Sequence, residues 1–163
     1  HDAGALRPAE KILHHGAPDD HAGGAAGTLT VDMSNTYLQW ADRNLSINGF
    51  SDERHRLLQA DVLAWLEQPP REQFDLIVLD PPTFSNSKRM DDTLDIQRDH
   101  VMLLNRALRF CAPGGTLYFS TNYRRFKLWE EEIRASAIQD ISAKTVPEDF
   151  RNKKIHQCYR ITK

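Results

Sequence analysis

The run Phe74-Asp75-Leu76-Ile77-Val78-Leu79-Asp80-Pro81-Pro82-Thr83-Phe84-Ser85-Asn86-Ser87-Lys88-Arg89 drives an apolar strand into a carboxylate, two prolines, an aromatic ring and a basic tail. Asp80 therefore stands at the carboxyl end of a buried strand, where open α/β sheets bind ligands. Pro81 and Pro82 fix φ and offer no N–H, so the ladder cannot continue and the chain is held in a stiff extended turn. Such a turn, with outward carbonyls and a flat aromatic beside it, suits a planar base. Asp32 follows Thr28-Leu29-Thr30-Val31 and Asp61 follows Leu57-Leu58-Gln59-Ala60 in the same way. In a parallel sheet these strand ends share one edge, so three carboxylates would line one crevice. Carboxylates are acceptors with several lone pairs, matched to a ligand that presents a ribose diol and an exocyclic amine at separate points. The plainer role for each aspartate is to cap the helix or turn that follows it.

Elements that would position these groups are legible in the periodicity. Apolar alternation and apolar runs predict strands over residues 28–32, 55–60, 74–80, 116–121, 140–146 and 155–162. A helix capped by Ser34 should carry Tyr37, Leu38, Trp40, Ala41, Leu45 and Ile47 and stop at Asn48-Gly49. A second should span about residues 94–111, with Val101, Leu104 and Leu108 inward, and end at Ala112-Pro113-Gly114-Gly115. A third is expected over about 128–137. Strands alternating with helices imply an α/β fold with a mostly parallel sheet, and the last two strands, joined by a loop alone, an antiparallel pair.

A length of 163 residues fits one domain, with 40% hydrophobic and 27% charged residues. No apolar run reaches a membrane span and no secretory signal is visible; with only two cysteines, disulfides are not the framework, and a reducing cytoplasm is the expected location. The net charge of −2 does not advertise a nucleic-acid binder. Its distribution is more telling, because basic residues gather at Lys88-Arg89, Arg124-Arg125-Lys127 and Arg151-Lys153-Lys154. Each cluster reads equally as a contact to nucleic acid or as a solvated loop. Cys111 and Cys158 are expected in packing roles, and His14, His15 and His21 lack accompanying cysteines, so no metal site is expected.

The Asp-Pro-Pro-aromatic stretch resembles the motif of S-adenosylmethionine (SAM) dependent methyltransferases acting on nucleobases. From Thr28 onward the chain is similar to the C-terminal, K-type half of the bifunctional K/L family of 23S ribosomal RNA guanine methyltransferases. The matching stretches are Val31-Asp-Met-Ser34, Trp40-Ala-Asp-Arg-Asn-Leu45, Gln59-Ala-Asp61, residues 80–90, Gln97-Arg98-Asp99-His100, Asp149-Phe150 and Ile155-His-Gln-Cys158. The resemblance implies a Rossmann-like class I domain over residues 28–163 that methylates N7 of a guanine in 23S RNA. It also implies an absent N-terminal half with an RNA-binding region and a guanine-N2 methyltransferase. Carried over residue by residue, SAM would be held by Asp32, Met33, Asp61, Val62, Asp80 and Gly16. Asp32 would take the ribose and Asp61 the adenine amine. Asp80, Pro81, Pro82 and Phe84 would form the catalytic platform, with Phe84 either stacking on the base or plugging the core. Ser85, Asn86, Lys88, Arg89, Arg124 and Arg125 would meet RNA, or else lie in exposed loops. Cytosine-C5 chemistry is set aside, because Ser120-Thr121-Asn122 stands where similar cytosine enzymes place their nucleophilic cysteine. Guanine-N2 or adenine-N6 transfer remains the alternative chemistry, and a non-catalytic RNA-binding fragment the alternative function.

Residues 1–27 depart from the family pattern. Gly16 and His21 keep the spacing of its Tyr-Thr-Gly-x-x-x-x-His-Ala motif, but Pro18-Asp19-Asp20 replace residues expected to open a helix, and no apolar strand precedes them. The first strand and its glycine loop are therefore expected to be lacking or degenerate, with residues 6–15 able at most to form a makeshift strand. Truncation or a frameshift would account for this, and the segment as a whole is expected to be irregular.

Overall fold

A computed structural model describes residues 12–15, 25–50, 53–85, 94–146 and 156–163. Its main sheet runs in the order β3-β2-β1-β4-β7-β9-β8, with β1 Ile12–His15, β2 Gly27–Asp32, β3 His55–Gln59, β4 Phe74–Leu79, β7 Cys111–Thr121, β8 Ala137–Asp140 and β9 Gln157–Thr162. A separate two-residue pair joins β5, Phe84–Ser85, to β6, Leu94–Asp95. Strands β2 and β3 are parallel, as are β4 and β7, whereas β9 runs antiparallel to β7 and to β8. The expected C-terminal antiparallel pair is therefore present.

The centre of the sheet differs from a simple parallel arrangement. Residues 12–15 do form a strand there, but it runs antiparallel to both neighbours, with Leu13 opposite Leu29 on one side and Ile77 on the other. Strands β2 and β4 thus point the same way across a reversed middle strand. The sheet is of mixed orientation.

Helix α3, Ile96–Arg109, supplies most of one covering layer. Its buried residues Ile96, His100, Leu103, Leu104, Ala107 and Leu108 recur at the i, i+4, i+7, i+8 spacing of an inward stripe. All of these but His100 join Phe74, Ile77 and Leu79 of β4 and Leu117 and Phe119 of β7 in one core. Trp65 of α2, Val62–Glu67, stacks on Phe110 at 4.4 Å between ring centroids. On α1, Asn35–Ile47, Leu38 is the buried residue; Ser34 caps the helix by accepting from Tyr37 N at 3.4 Å, and Gly49 ends it at φ +80°. Among the described residues no helix is long and apolar enough to cross a membrane.

Four expectations need correction. Helix α2 was not foreseen, because six residues give less than two turns of periodicity. The second expected helix is shorter, since Leu94-Asp95 pairs with Phe84-Ser85 and Cys111 already belongs to β7. Residues 128–137 hold the 3-10 turn Glu130–Glu132 and the first residue of β8 in place of a helix, because side chains of α3 occupy backbone groups that a helix would need: Asn105 binds Glu132 O and Arg134 N, and His100 binds Trp129 N. Finally, the strand expected at 140–146 lies at Ala137–Asp140, and Asp140 Oδ1 accepts from Ser142 N at 2.8 Å to start the helical turn α4, Ser142–Thr145.

Candidate active site

Register fixes the geometry of the acidic rim. Asp32 lies three residues past Leu29 and Asp80 three past Ile77, and both of those pair with Leu13. The two aspartates therefore end their strands level with each other, about 10 Å apart across two strand spacings. Asp32 is also paired with Gln59, so Asp61 stands two residues beyond that pair, just past the end of the neighbouring strand β3. Hydrogen bonds from Ala60 N to Asp32 O (3.1 Å) and from Gln59 Nε2 to Met33 O (3.3 Å) tie those two stations together. All three expected carboxylates thus lie along one edge of the sheet.

Each also has a local task. Asp32 Oδ1 accepts from Ser34 N at 2.6 Å, and Asp61 Oδ1 caps α2 by accepting from Leu63 N at 2.9 Å and Ala64 N at 3.3 Å. The capping role is real, yet it uses one oxygen: among the described residues the Oδ2 atoms of Asp32, Asp61 and Asp80 have no hydrogen-bond partner. Met33 is 52% exposed beside Asp32, whereas Val62 is turned into the core.

At Asp80 the neighbouring strand contributes a residue that sequence reasoning missed. Ser120 Oγ donates to Asp80 Oδ1 at 2.6 Å, directed there because Leu79 pairs with Phe119 in the parallel β4–β7 ladder. Matching the ends of parallel strands residue by residue would have found it. Beyond Asp80, Pro81 is buried and Pro82 exposed. The turn is then pinned to the start of α3 by Ile96 N donating to Thr83 O (3.3 Å) and by the Phe84–Asp95 and Ser85–Leu94 pairs. Arg124 and Arg125 are exposed just past the end of β7, on the same edge as Asp80.

Gly16, Asn86, Lys88 and Arg89 lie outside the described residues, as do His21 and the cluster at 151–154. The last residue of β1, His15, pairs with Gly27 at the edge opposite Asp32. Cys111 and Cys158 are buried, and burial pushes both thiols up from their ordinary range. Neither is primed as a nucleophile. A groove of about 350 Å³ beside Arg56, Trp65 and Glu72 lies on the β3 side and includes none of the three rim aspartates.

No protein-family model matches the chain. Over 140 residues, 85% of this chain, it is 60% identical to the ribosomal RNA large subunit methyltransferase K/L of Cellvibrio japonicus. Over 141 residues it is 55% identical to the ribosomal RNA large subunit methyltransferase K of Neisseria meningitidis serogroup B. It spans 18% of the first protein's length and 40% of the second's. Among solved structures it is similar to a SAM-dependent methyltransferase from Streptococcus mutans, with TM-score 0.69 and 19% identity over 86% of this chain and 39% of that one. Another from Agrobacterium tumefaciens gives TM-score 0.66 at 17% identity, over 86% of this chain and 50% of that one. The fold is that of class I SAM-dependent methyltransferases.

Proposed function

The chain is a homologue of part of the large-subunit ribosomal RNA methyltransferases of the K and K/L types, and we propose that it binds SAM at the acidic rim and methylates N7 of a guanine in 23S ribosomal RNA. The supporting observation is that Asp32 and Asp80 end their strands level on one edge, each with an oxygen free of partners among the described residues. That donor-seeking pair fits a nucleoside laid across the strand ends. Asp32 would hold the ribose hydroxyls and Asp61 the adenine amine, with Met33 against the adenosine. SAM, when bound, supplies an activated methyl on its sulfonium.

Guanine N7 offers a lone pair and has no proton to lose, so transfer demands in-line positioning more than a general base. Asp80, braced by Ser120, and the Pro81-Pro82 turn would fix the base, Phe84 would stack on it, and Ser85, Asn86, Lys88, Arg89, Arg124 and Arg125 would meet RNA. The protein would then work in the cytoplasm on ribosomal RNA, and at full length would be joined to an N-terminal guanine-N2 methyltransferase and RNA-binding region.

Calorimetry with S-adenosylhomocysteine tests the cofactor site. Saturable binding should weaken about tenfold or more in Asp32→Ala, in line with the ~1.5–3 kcal/mol of a hydrogen bond to a charged group. Mass spectrometry of modified RNA then reads the atom: methyl on N7 supports the proposal, and methyl on an exocyclic amine replaces it with the guanine-N2 or adenine-N6 chemistry. A second reading, a non-catalytic RNA-binding fragment, is favoured by one observation, the reversal of β1, which takes His15 to the edge away from Asp32. Absence of binding at roughly millimolar ligand, where affinity is worth only about 4 kcal/mol, would select it.

A further inference from the structure

The stretch Gln97-Arg98-Asp99-His100 has no part in the proposed site, yet two of its side chains, Gln97 and His100, hold the segment that follows β7. Gln97 grips Lys127 from both sides: Gln97 Nε2 donates to Lys127 O at 3.0 Å and Lys127 N donates to Gln97 Oε1 at 2.8 Å. One turn on, Trp129 N donates to His100 Nε2 at 3.1 Å, which places the ring proton on Nδ1, facing Gln97 O at 2.9 Å. Asn105 repeats the bracket, donating to Glu132 O at 2.9 Å and accepting from Arg134 N at 2.7 Å. From the other side Gln157 Nε2 donates to Phe126 O at 3.1 Å. The buried Phe126 ring meets His100 edge-on at 4.8 Å and packs near Phe119 and Tyr159.

Residues 122–134 hold little regular structure, and side chains take over the satisfaction of backbone groups that a helix or ladder would provide. Arg124 and Arg125 are exposed within the stretch so fixed, next to the strand end where Ser120 braces Asp80. We propose that Gln97, His100 and Asn105 are positioning residues that clamp the Arg124-Arg125 arm beside Asp80, so that RNA meets two guanidinium groups already set at the reaction edge. This rests on the RNA substrate proposed above. A preset arm saves the ordering of loop and side chains on binding, so the clamp acts on RNA affinity rather than on the transfer step.

Limited trypsin digestion and steady-state kinetics on a 23S RNA fragment test it together. In Gln97→Ala and in Asn105→Ala, cleavage after Arg124, Arg125 and Lys127 should quicken about tenfold, and KM for RNA should rise about tenfold, equivalent to ~1.4 kcal/mol, with kcat little changed. Binding of S-adenosylhomocysteine should stay at the unaltered chain's level, which excludes general unfolding. In an Arg124→Ala, Arg125→Ala background, Gln97→Ala should raise KM no further, because its effect passes through those two side chains. Unchanged cleavage, faster cleavage with unchanged KM, or a full additional rise in that background each overturns the clamp. If the unaltered chain binds S-adenosylhomocysteine but no RNA, the RNA reading fails and takes the clamp's purpose with it. If it binds RNA and the loosened variants bind equally well, the clamp alone fails.

Discussion

In the proposed site Asp61 would serve fold and chemistry at once. Oδ1 caps α2, and Oδ2, without a partner among the described residues, would take the ligand. Asp61→Asn keeps a capping oxygen but replaces an acceptor by a donor, so it should leave stability within ~0.5 kcal/mol and weaken S-adenosylhomocysteine about tenfold. Asp61→Ala should lose both, with about 1 kcal/mol of stability gone in urea unfolding. Equal binding by the Asn variant and the unaltered chain would remove Asp61 from the site. His100 offers a pH test. Burial, its largest influence, holds the ring below its ordinary value, while carbonyls of Gln97 and Ile96 and the charges of Glu132 and Asp99 act the other way. The unfolded chain therefore takes up this proton first, near pH ~6.5. Stability is complete above that value and declines as pH falls from there through the folded ring's lower pKa. Thermal unfolding at about pH 7.5 and about pH 5.5 should show a smaller acid loss in His100→Gln than in the unaltered chain. An equal loss in both would assign the acid sensitivity elsewhere.

Elements divide by whether their own residues decide them. Strands β2, β3, β4 and β9, helix α1 with its Ser34 cap and the body of α3 follow from periodicity, because each carries its apolar pattern in its own sequence. The rim was legible for the same reason, since each aspartate closes an apolar run. What stayed hidden depends on partners far along the chain. Most of residues 128–137 looks helical alone and becomes an irregular strap because His100 and Asn105 claim backbone groups within it and Gln97 holds Lys127 just before it. The contact of Ser120 with Asp80 can be read only once the β4–β7 register is known. The start of β7 is a similar case: Ala112-Pro113-Gly114-Gly115 reads as a helix stop, but it forms an irregularity inside the strand, between the Phe74–Cys111 and Leu76–Thr116 pairs. A Cβ at Gly115 would lie 2.9 Å from Cys111 Sγ and 3.0 Å from the carbonyl oxygens of Ala112 and Asp75. Two of those neighbours are backbone and cannot swing aside. Gly115→Ala should therefore cost about 1–3 kcal/mol in urea unfolding, whereas an unchanged midpoint would show that the strand start yields.

At the scale of the whole molecule, β1 is the bond between two blocks. One block is β3-β2 with α1, the other β4-β7-β9-β8 with α3, and the described ladder joins them through residues 12–15. Leu13→Pro removes an N–H where both neighbours are strands, a position that sheets do not tolerate. It should lower stability by about 3 kcal/mol and release amide protection in β2 and β4 together, read by hydrogen exchange; retained protection in both would deny β1 its central place. Among the described residues β1 meets β4 at Leu13–Ile77 and His14–Leu76, whereas β7 and β9 are laced from Thr116 to Thr121. The two blocks are also bridged beside β1 by α2, whose Trp65 lies on Phe110, whose Glu67 meets Arg106 at 3.0 Å and whose last turn takes Arg109 on Gln68 O at 3.1 Å. A pull that opens the middle of the sheet must tear this buckle as well, and in doing so would carry Asp32 and Asp61 away from Asp80.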